Sequence, residues 1–347
     1  MGKKIDKEFC MSSFLTFRYI AEENTIFKEG MNHKELLDIN GKEMYYCDSS
    51  QEIDYYLKKI LYNVDLSRAA LLISGGIDSG ILASYMPKGT RAYTAKCSAV
   101  GAVDETGRAK KMCDKYGLKH IIVDITWQDY LDSIDDLMLQ DGCPVFANEP
   151  QVYALAKKIK EDGNDIIIFG DNADMAFGGL DLLLAKDWDY EGWKKRFTFV
   201  DPKQVLKSPV DMDCIYSKYK IGQNGIDYIK FMDEIFAMSS SGAYLNAFKL
   251  ANIESIDPYS FLKMKKPFDL RRIRNGESKY YLRELFRSKY PEFNVPEKIA
   301  MPRAVEQWLS EWEGPQRDEF LCDCIRGLTG EQKFLIYSLE RFLNLID

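Results

Sequence analysis

The run Leu71-Leu72-Ile73-Ser74-Gly75-Gly76-Ile77-Asp78-Ser79-Gly80 decides how the chain folds. Three apolar residues end abruptly at Ser-Gly-Gly, and a helix-like run, Ile81-Leu82-Ala83-Ser84-Tyr85-Met86, follows at once. The spacing predicts a buried strand, a tight loop and a helix N-terminus. Two glycines let the backbone turn with its N–H groups facing one point, the helix adds its unpaired first-turn amides, and Ser74 and Ser79 offer hydroxyls. Phosphate suits that set of donors. Asp78 inside the loop would repel a bare phosphate, a conflict that disappears if its carboxylate holds a Mg²⁺ bridging to the phosphates. The loop therefore points to a nucleoside triphosphate with its metal, and it lacks the Gly-Lys-Ser/Thr ending of a Walker A loop. A glycine-rich connection without a ligand is the alternative for the loop taken alone.

The 347 residues can bury a sizeable core in one large domain or two, and 46% apolar with 29% charged residues describes an ordinary globular chain. A net charge of −7 argues against a protein that coats nucleic acid, although Lys263–Arg274 forms a local basic patch. No run of about 18 apolar residues is present, so no transmembrane helix is expected. Eight cysteines without Cys-x-x-Cys pairs, and no apolar signal stretch behind Met1-Gly-Lys-Lys, fit a reducing cytoplasm. Cys322 and Cys324 read as packing residues of a C-terminal helix rather than half a zinc site. With only His33 and His120, a His-assisted serine or cysteine nucleophile has little material.

Along the chain, Phe14–Ile20 and Thr25–Phe27 read as short β-runs, with a hairpin around Asn40-Gly41. Helical periodicity begins at Ser49 and leads into the strand at 70–73. Strands follow at 91–97, 120–124 and 165–169, separated by helices through Tyr116 and over 149–161. Strands alternating with single helices imply a parallel sheet covered on both faces, with ligands at the carboxyl ends of the strands. The strand at 165–169 delivers Asp171 and Asp174 onto a glycine-flanked loop, a second set of carboxylates at the edge that carries Asp78. From about Pro202 the patterns are helical, at 232–236, 244–250, 279–288 and 334–345. The expected division is a connector over 1–48, an α/β core over 49–200 and a helical part over 201–347.

Ser74–Ser79 resembles the SGGxDS pyrophosphate loop of the N-type ATP pyrophosphatases, whose fold is adenine nucleotide hydrolase-like. Taken together, SGGIDSG, DETGRAKKMCDKYGLKH and GDNADMAFGG resemble, in the same order, the asparagine synthetase series SGGxDS, DE with a following helix, and GEGADExFGGY. Asp174 stands at the family's second metal carboxylate, Asp171 replaces its Glu, and Met175 replaces the Glu after the metal Asp. Glu254-Ser-Ile-Asp257-Pro258 resembles ExRxPFLD with Ile256 in place of Arg, and Lys279-Tyr-Tyr-Leu282-Arg283-Glu284 resembles KxxLRE. Lys298 falls where the family's pyrophosphate-binding lysine falls. SFLTFRYIAEENTIFKEG resembles the connector at the end of the glutaminase domain. Residue 2 is Gly where such domains expose a cysteine, so this chain is expected to lack a glutaminase of its own.

The resemblance implies an ATP- and Mg²⁺-dependent amide-forming synthetase working through an acyl-adenylate. The expected nucleotide-binding set is Ile73, Ser74, Gly75, Gly76, Asp78, Ser79, Lys96 and Gly170. Asp78 and Asp174 hold the metal, and Lys298, Glu254 and Asp171 are the catalytic candidates. Expected partners are a small-molecule or peptide carboxylate, ammonia or an amine, and a possible separate glutaminase, with neither nucleic acid nor membrane. A peptide or lactam cyclase of the same fold is the first rival. A non-catalytic nucleotide-binding partner is the second, favoured by Met175 and Ile256 standing where the family has charges.

Overall fold

The computed structural model describes residues 2–33 and 43–347. Helices α1 (Lys7–Phe17) and α2 (Ser50–Tyr62) precede a five-stranded parallel sheet. Strand β1 (Ala69–Leu72) leads through α3 (Ile77–Ala83) to β2 (Arg91–Cys97), and α4 (Thr106–Tyr116) leads on to β3 (Lys119–Ile125). Then α5 (Trp127–Asp141) and α6 (Asn148–Glu161) return the chain to β4 (Ile166–Ile168). Helix α7 (Ala237–Leu250) feeds β5 (Glu254–Ile256), and α8 (Tyr280–Lys289) and α9 (Gly330–Ile346) follow.

Strand side chains alternate between the two faces of a sheet, and the burial follows that rule. Ala70, Tyr93 and Ile167 pack with Leu155, Phe248 and Phe342 of α6, α7 and α9. Ala69, Leu71, Ala92, Ile166 and Ile168 pack on the other side with Leu57, Ile81, Met112 and Phe286 of α2, α3, α4 and α8. Near-continuous apolar strands such as Ile166-Ile167-Ile168 are what a sheet covered on both faces requires. A third cluster around Trp193, Phe197, Tyr216 and Phe231 receives Phe17 of α1 and supports the segment after β4.

The strands lie side by side in the order β5-β4-β1-β2-β3. From β1 the chain moves outward through β2 and β3, then crosses back to set β4 on the other side of β1, so its direction of travel reverses between β1 and β4. Open α/β sheets bind ligands outside the carboxyl ends of the strands at such a reversal. The loops after β1 and β4 are those that carry Asp78 and Asp174.

Several expectations are corrected. Phe14–Phe17 belong to α1 and not to a strand; Asp6 caps that helix by accepting the Phe9 N–H at 2.9 Å. Every α1 residue from Cys10 to Phe17 is buried, so the run shows no amphipathic period, and burial overrides the β-preference of its aromatic and β-branched residues. Thr25–Ile26 do form a short strand, paired with Lys4–Ile5. The hairpin expected at Asn40-Gly41 lies outside the described residues. Cys322 and Cys324 sit in turns ahead of α9, not within it. In the basic patch Lys263, Lys265, Arg272 and Arg274 pair with Asp233, Glu52, Glu277 and Asp187. Among the described residues no helix is long and apolar enough to cross a membrane.

Gly142 ends α5 in the left-handed region, φ 70°, with its N–H on the Met138 carbonyl at 2.8 Å. A Cβ there would lie 2.7 Å from the backbone carbon of Asn32. Gly142→Ala should therefore lower stability by roughly 1–2 kcal/mol for the left-handed backbone, and further for the clash with Asn32. A urea midpoint that does not move would contradict this packing.

Candidate active site

The loop after β1 is fixed by hydrogen bonds within the protein. Ile73 donates its N–H to the Tyr93 carbonyl at 2.9 Å and accepts the Thr94 hydroxyl at 2.6 Å, which ties the strand end to β2. The Ser79 hydroxyl accepts the Ser74 N–H at 3.2 Å and meets the Ser74 hydroxyl at 3.2 Å, and Ser74 Oγ accepts the Gly76 N–H at 3.3 Å. Gly75 takes φ 72°, and a Cβ on it would stand 2.7 Å from the Ala109 amide nitrogen, so the turn and the close approach of α4 both demand glycine. Two buried tyrosines hold α3 from behind: Tyr259 donates to the Asp78 carbonyl at 3.0 Å and Tyr290 to the Gly80 carbonyl at 2.6 Å.

Across from this loop, β4 ends at Ile168 and the chain turns through Gly170-Asp171-Asn172-Ala173-Asp174. The side chains of Asp78 and Asp174 converge on one buried ammonium, that of Lys279. It pairs directly with Asp78 and lies 2.5 Å from Asp174 Oδ1. Lys298 reaches Asp174 Oδ2 at 3.0 Å and the Gly179 carbonyl at 2.7 Å. Burial pushes the Asp78 carboxyl up against the pull of Lys279. Burial also works to raise Asp174, but Lys279 and Lys298 together hold it below the ordinary carboxylate range. Lys279, although buried, is held charged by the two acids, with its pKa raised.

Asp78 Oδ1 is buried without a hydrogen-bond partner among the described residues, a costly state for a carboxylate oxygen that a cation would relieve. Among the described residues no group of three or more His, Cys, Asp or Glu side chains could hold a metal by itself. Two carboxylates suit a Mg²⁺ that takes its remaining ligands from phosphates and water. The residues present therefore fit a metal that arrives with a nucleotide.

Further acids surround the pair. Asp171 accepts the hydroxyls of Ser240 at 3.2 Å and Ser241 at 2.9 Å, and burial pushes it up to about 6. Asp257 accepts the Asn172 backbone and side-chain N–H groups at 2.7 and 3.0 Å, and burial raises it to about 7. Glu105, also pushed up to about 7 by burial, accepts from Arg108 at 2.8 Å.

Ile73, Ser74, Gly76, Asp78, Ser79, Gly170, Asp171, Asp174 and Lys298 all line one cavity of about 390 Å³. Gly75 lies behind it against α4. Two expected residues do not join them. Lys96 is exposed and pairs with Asp104 at 3.2 Å. Glu254 is exposed at the start of β5, in register with Ile166, which puts it four residues below Gly170, roughly 13 Å at strand rise, toward the opposite edge of the sheet. A three-residue strand of Glu-Ser-Ile shows no period of its own, so its direction was invisible. Asp257, at the other end of β5, is the acid that stands near the site.

Met175 packs against the Trp193 cluster and Ile256 against the α2–α3 side of the sheet. Both replacements of family charges thus have apolar partners. Sequence reasoning passed over Lys279 as a site residue, although it opens the KxxLRE-like helix. Its φ of 55°, rare for a residue with a side chain, also sets it apart.

Removing Lys279 would leave two buried carboxylates facing each other. Lys279→Met should lower stability by about 3–5 kcal/mol, the scale for breaking a buried pair, and adding Asp78→Asn should restore part of the loss. A denaturation cycle showing simple additivity of the two changes would refute the coupling.

Residues 65–221 match the family model described as asparagine synthase. The chain is 26% identical to a glutamine-hydrolysing asparagine synthetase of Asparagus officinalis over 67% of its own length and 37% of that protein's. It is 28% identical to the nodule enzyme of the same description from Pisum sativum, over 35% of its own length and 23% of that protein's. The chain therefore spans well under half of these relatives. Among solved structures, NMN synthetase from Francisella tularensis overlaps 72% of this chain and 96% of its own at 13% identity, with a TM-score of 0.28, a likeness too loose to bear on function. The match to the asparagine synthase model, over residues 65–221, takes in both the Ser74 loop and the Asp171–Asp174 turn.

Proposed function

We propose that the chain is an ATP-dependent amide-forming synthetase. The observation that carries this reading is the convergence of Asp78 and Asp174 beside the Ser74–Ser79 loop, with one Asp78 oxygen buried and unpartnered among the described residues. A substrate carboxylate attacks the α-phosphorus of ATP, the bond to the bridging oxygen of the β-phosphate breaks, and pyrophosphate leaves. Ammonia or an amine then attacks the acyl carbon of the acyl-adenylate, and AMP departs with the bonding pair. Asp78 and Asp174 would hold Mg²⁺, which neutralises phosphate charge.

Each residue has a role that follows from its placement. Ser74, Gly75, Gly76 and Ser79 cradle the pyrophosphate with amides and hydroxyls. Lys298, on the irregular stretch Pro296–Pro302, sets a positive charge where negative charge grows as pyrophosphate leaves. Asp171 takes the proton from the nitrogen nucleophile. It lines the cavity and two serine hydroxyls orient it, and its burial keeps its basicity useful near neutral pH. In this role it replaces Glu254, which stands too far away.

A screen of carboxylic acids for acid-dependent ATP–pyrophosphate exchange tests the reading. Asp78→Asn and Asp174→Asn should each abolish exchange, and Lys298→Ala should slow it roughly a hundredfold with a smaller change in Mg·ATP affinity. A wild-type chain that binds Mg·ATP yet exchanges with no acid would overturn the reading. The nitrogen step should show an acidic limb near pH 6, because Asp171 accepts a proton only above its pKa of about 6. With rates expressed per unprotonated nucleophile, turnover should fall about tenfold per pH unit below that value, and Asp171→Asn should cost roughly 10²–10⁴-fold and erase the limb. A limb that survives the substitution would assign the proton elsewhere.

A further inference from the structure

We propose that Arg108 is a positioning residue for Lys298, a clamp that fixes the stretch Pro296–Pro302 at a set distance from the Ser74–Ser79 loop. That Lys298 then acts on pyrophosphate rests on the synthetase reading. The clamp itself stands on separate contacts.

The backbone around Lys298 does not hold itself in place. Residues 294–303 form neither helix nor strand, and among the described residues they take part in no backbone–backbone hydrogen bond. Lysine carries its charge on a flexible four-carbon stem, so the course of the backbone beneath it decides which oxygens it reaches. Side chains from elsewhere set that course on both sides of Lys298. On the C-terminal side Cys97 Sγ donates to the Pro302 carbonyl at 3.4 Å, and Arg303 is held by Glu331 at 2.6 Å and by Asn148. On the N-terminal side Arg108 Nη1 donates to the Glu297 carbonyl at 3.0 Å. Among the described residues that is the one side-chain hydrogen bond to the backbone of residues 294–301.

Arg108 lies in the first turn of α4, and its Nη2 donates to Glu105 at 2.8 Å. Glu105 is only 5% exposed. A guanidinium presents its donors in a rigid fork, so a buried carboxylate holding one arm aims the other at the Glu297 carbonyl. The root of the same side chain packs behind the Ser74 loop: a Cβ on Gly75 would stand 2.7 Å from Arg108 Cβ. One residue therefore touches the loop at its base and the stretch bearing Lys298 at its tip. Glu105, Arg108, Glu297 and Lys298 all line the cavity that holds Asp78 and Asp174.

This bridge has a chemical use. Pyrophosphate gripped by the loop on one side and by Lys298 on the other needs the two at a fixed separation, and a misplacement of about 1 Å can cost on the order of a hundredfold in rate. Lys298 has Asp174 Oδ2 and the Gly179 carbonyl as partners. With the backbone pinned beside it, Lys298 can exchange these for phosphate oxygens by turning its side chain alone.

In acid-dependent ATP–pyrophosphate exchange, Arg108→Met should lower kcat roughly tenfold, the scale of one charge-assisted hydrogen bond. It should raise the KM for pyrophosphate, with smaller changes in the KM for ATP and for the acid. Arg108→Lys, which can reach Glu105 but has no fork to meet both acceptors, should lie between the two, and it serves in place of Arg108→Met if that variant does not fold. Placed in Lys298→Ala, Arg108→Met should cost at most about twofold more, because its effect runs through Lys298. Unchanged exchange in Arg108→Met, or the full loss repeated in the Lys298→Ala background, would overturn the proposal. A second readout needs no activity: a lysine-specific protease should cut after Lys298 several-fold faster in Arg108→Met than in the wild type, with the melting temperature as the control for folding. Equal cutting rates at equal melting temperature would also refute the clamp. Faster cutting in a chain that exchanges with no acid would remove the synthetase reading and leave the clamp standing.

Discussion

One buried ammonium joins the two halves of the site. Asp78 rides on the loop after β1 and Asp174 on the loop after β4, and without a cation between them two carboxylates in a low-dielectric crevice would force the loops apart. Lys279 supplies that cation from the start of α8, a helix that packs on the same face of the sheet as α3. Tyr290, just past the end of α8, grips the Gly80 carbonyl, and Tyr259 grips that of Asp78. The geometry of these two carboxylates is therefore set by an element far along the chain from either of them.

The acids around this centre are unequal by design of their surroundings. Asp174, with two lysines, stays ionised. Asp171, Asp257 and Glu105, buried with mostly neutral or single partners, have pKa values lifted to about 6, 7 and 7. Environments that separate carboxyl pKa values are how one pocket can hold both permanent anions and proton carriers.

Much of this was legible in the sequence wherever local chemistry was strong. The Ser74 loop, the strand read at 165–169 and the carboxylates Asp78, Asp171 and Asp174 declared themselves through abrupt changes from apolar to glycine-rich sequence. Helix α1 did not, because its buried run from Cys10 to Phe17 carries no amphipathic period. β5 did not, because three residues cannot display one. Glu254 followed a motif and stands toward the amino ends of the strands, while Asp257 three residues on reaches the Asn172 turn. Lys279 was missed as a site residue because it acts through a tertiary contact, from left-handed backbone that no residue type announces.

The order β5-β4-β1-β2-β3 has one more implication. The Ser74 loop and the Asp78 and Asp174 carboxylates hang from neighbouring strands, β1 and β4, whose register is locked by backbone hydrogen bonds. The cavity wall around Arg18 hangs from a helix end, a distorted helical turn and an irregular stretch, none of them part of the sheet. Substitutions in that wall can thus change the shape of the cavity while the hydrogen-bonded strands that carry the Asp78 and Asp174 loops stay as they are.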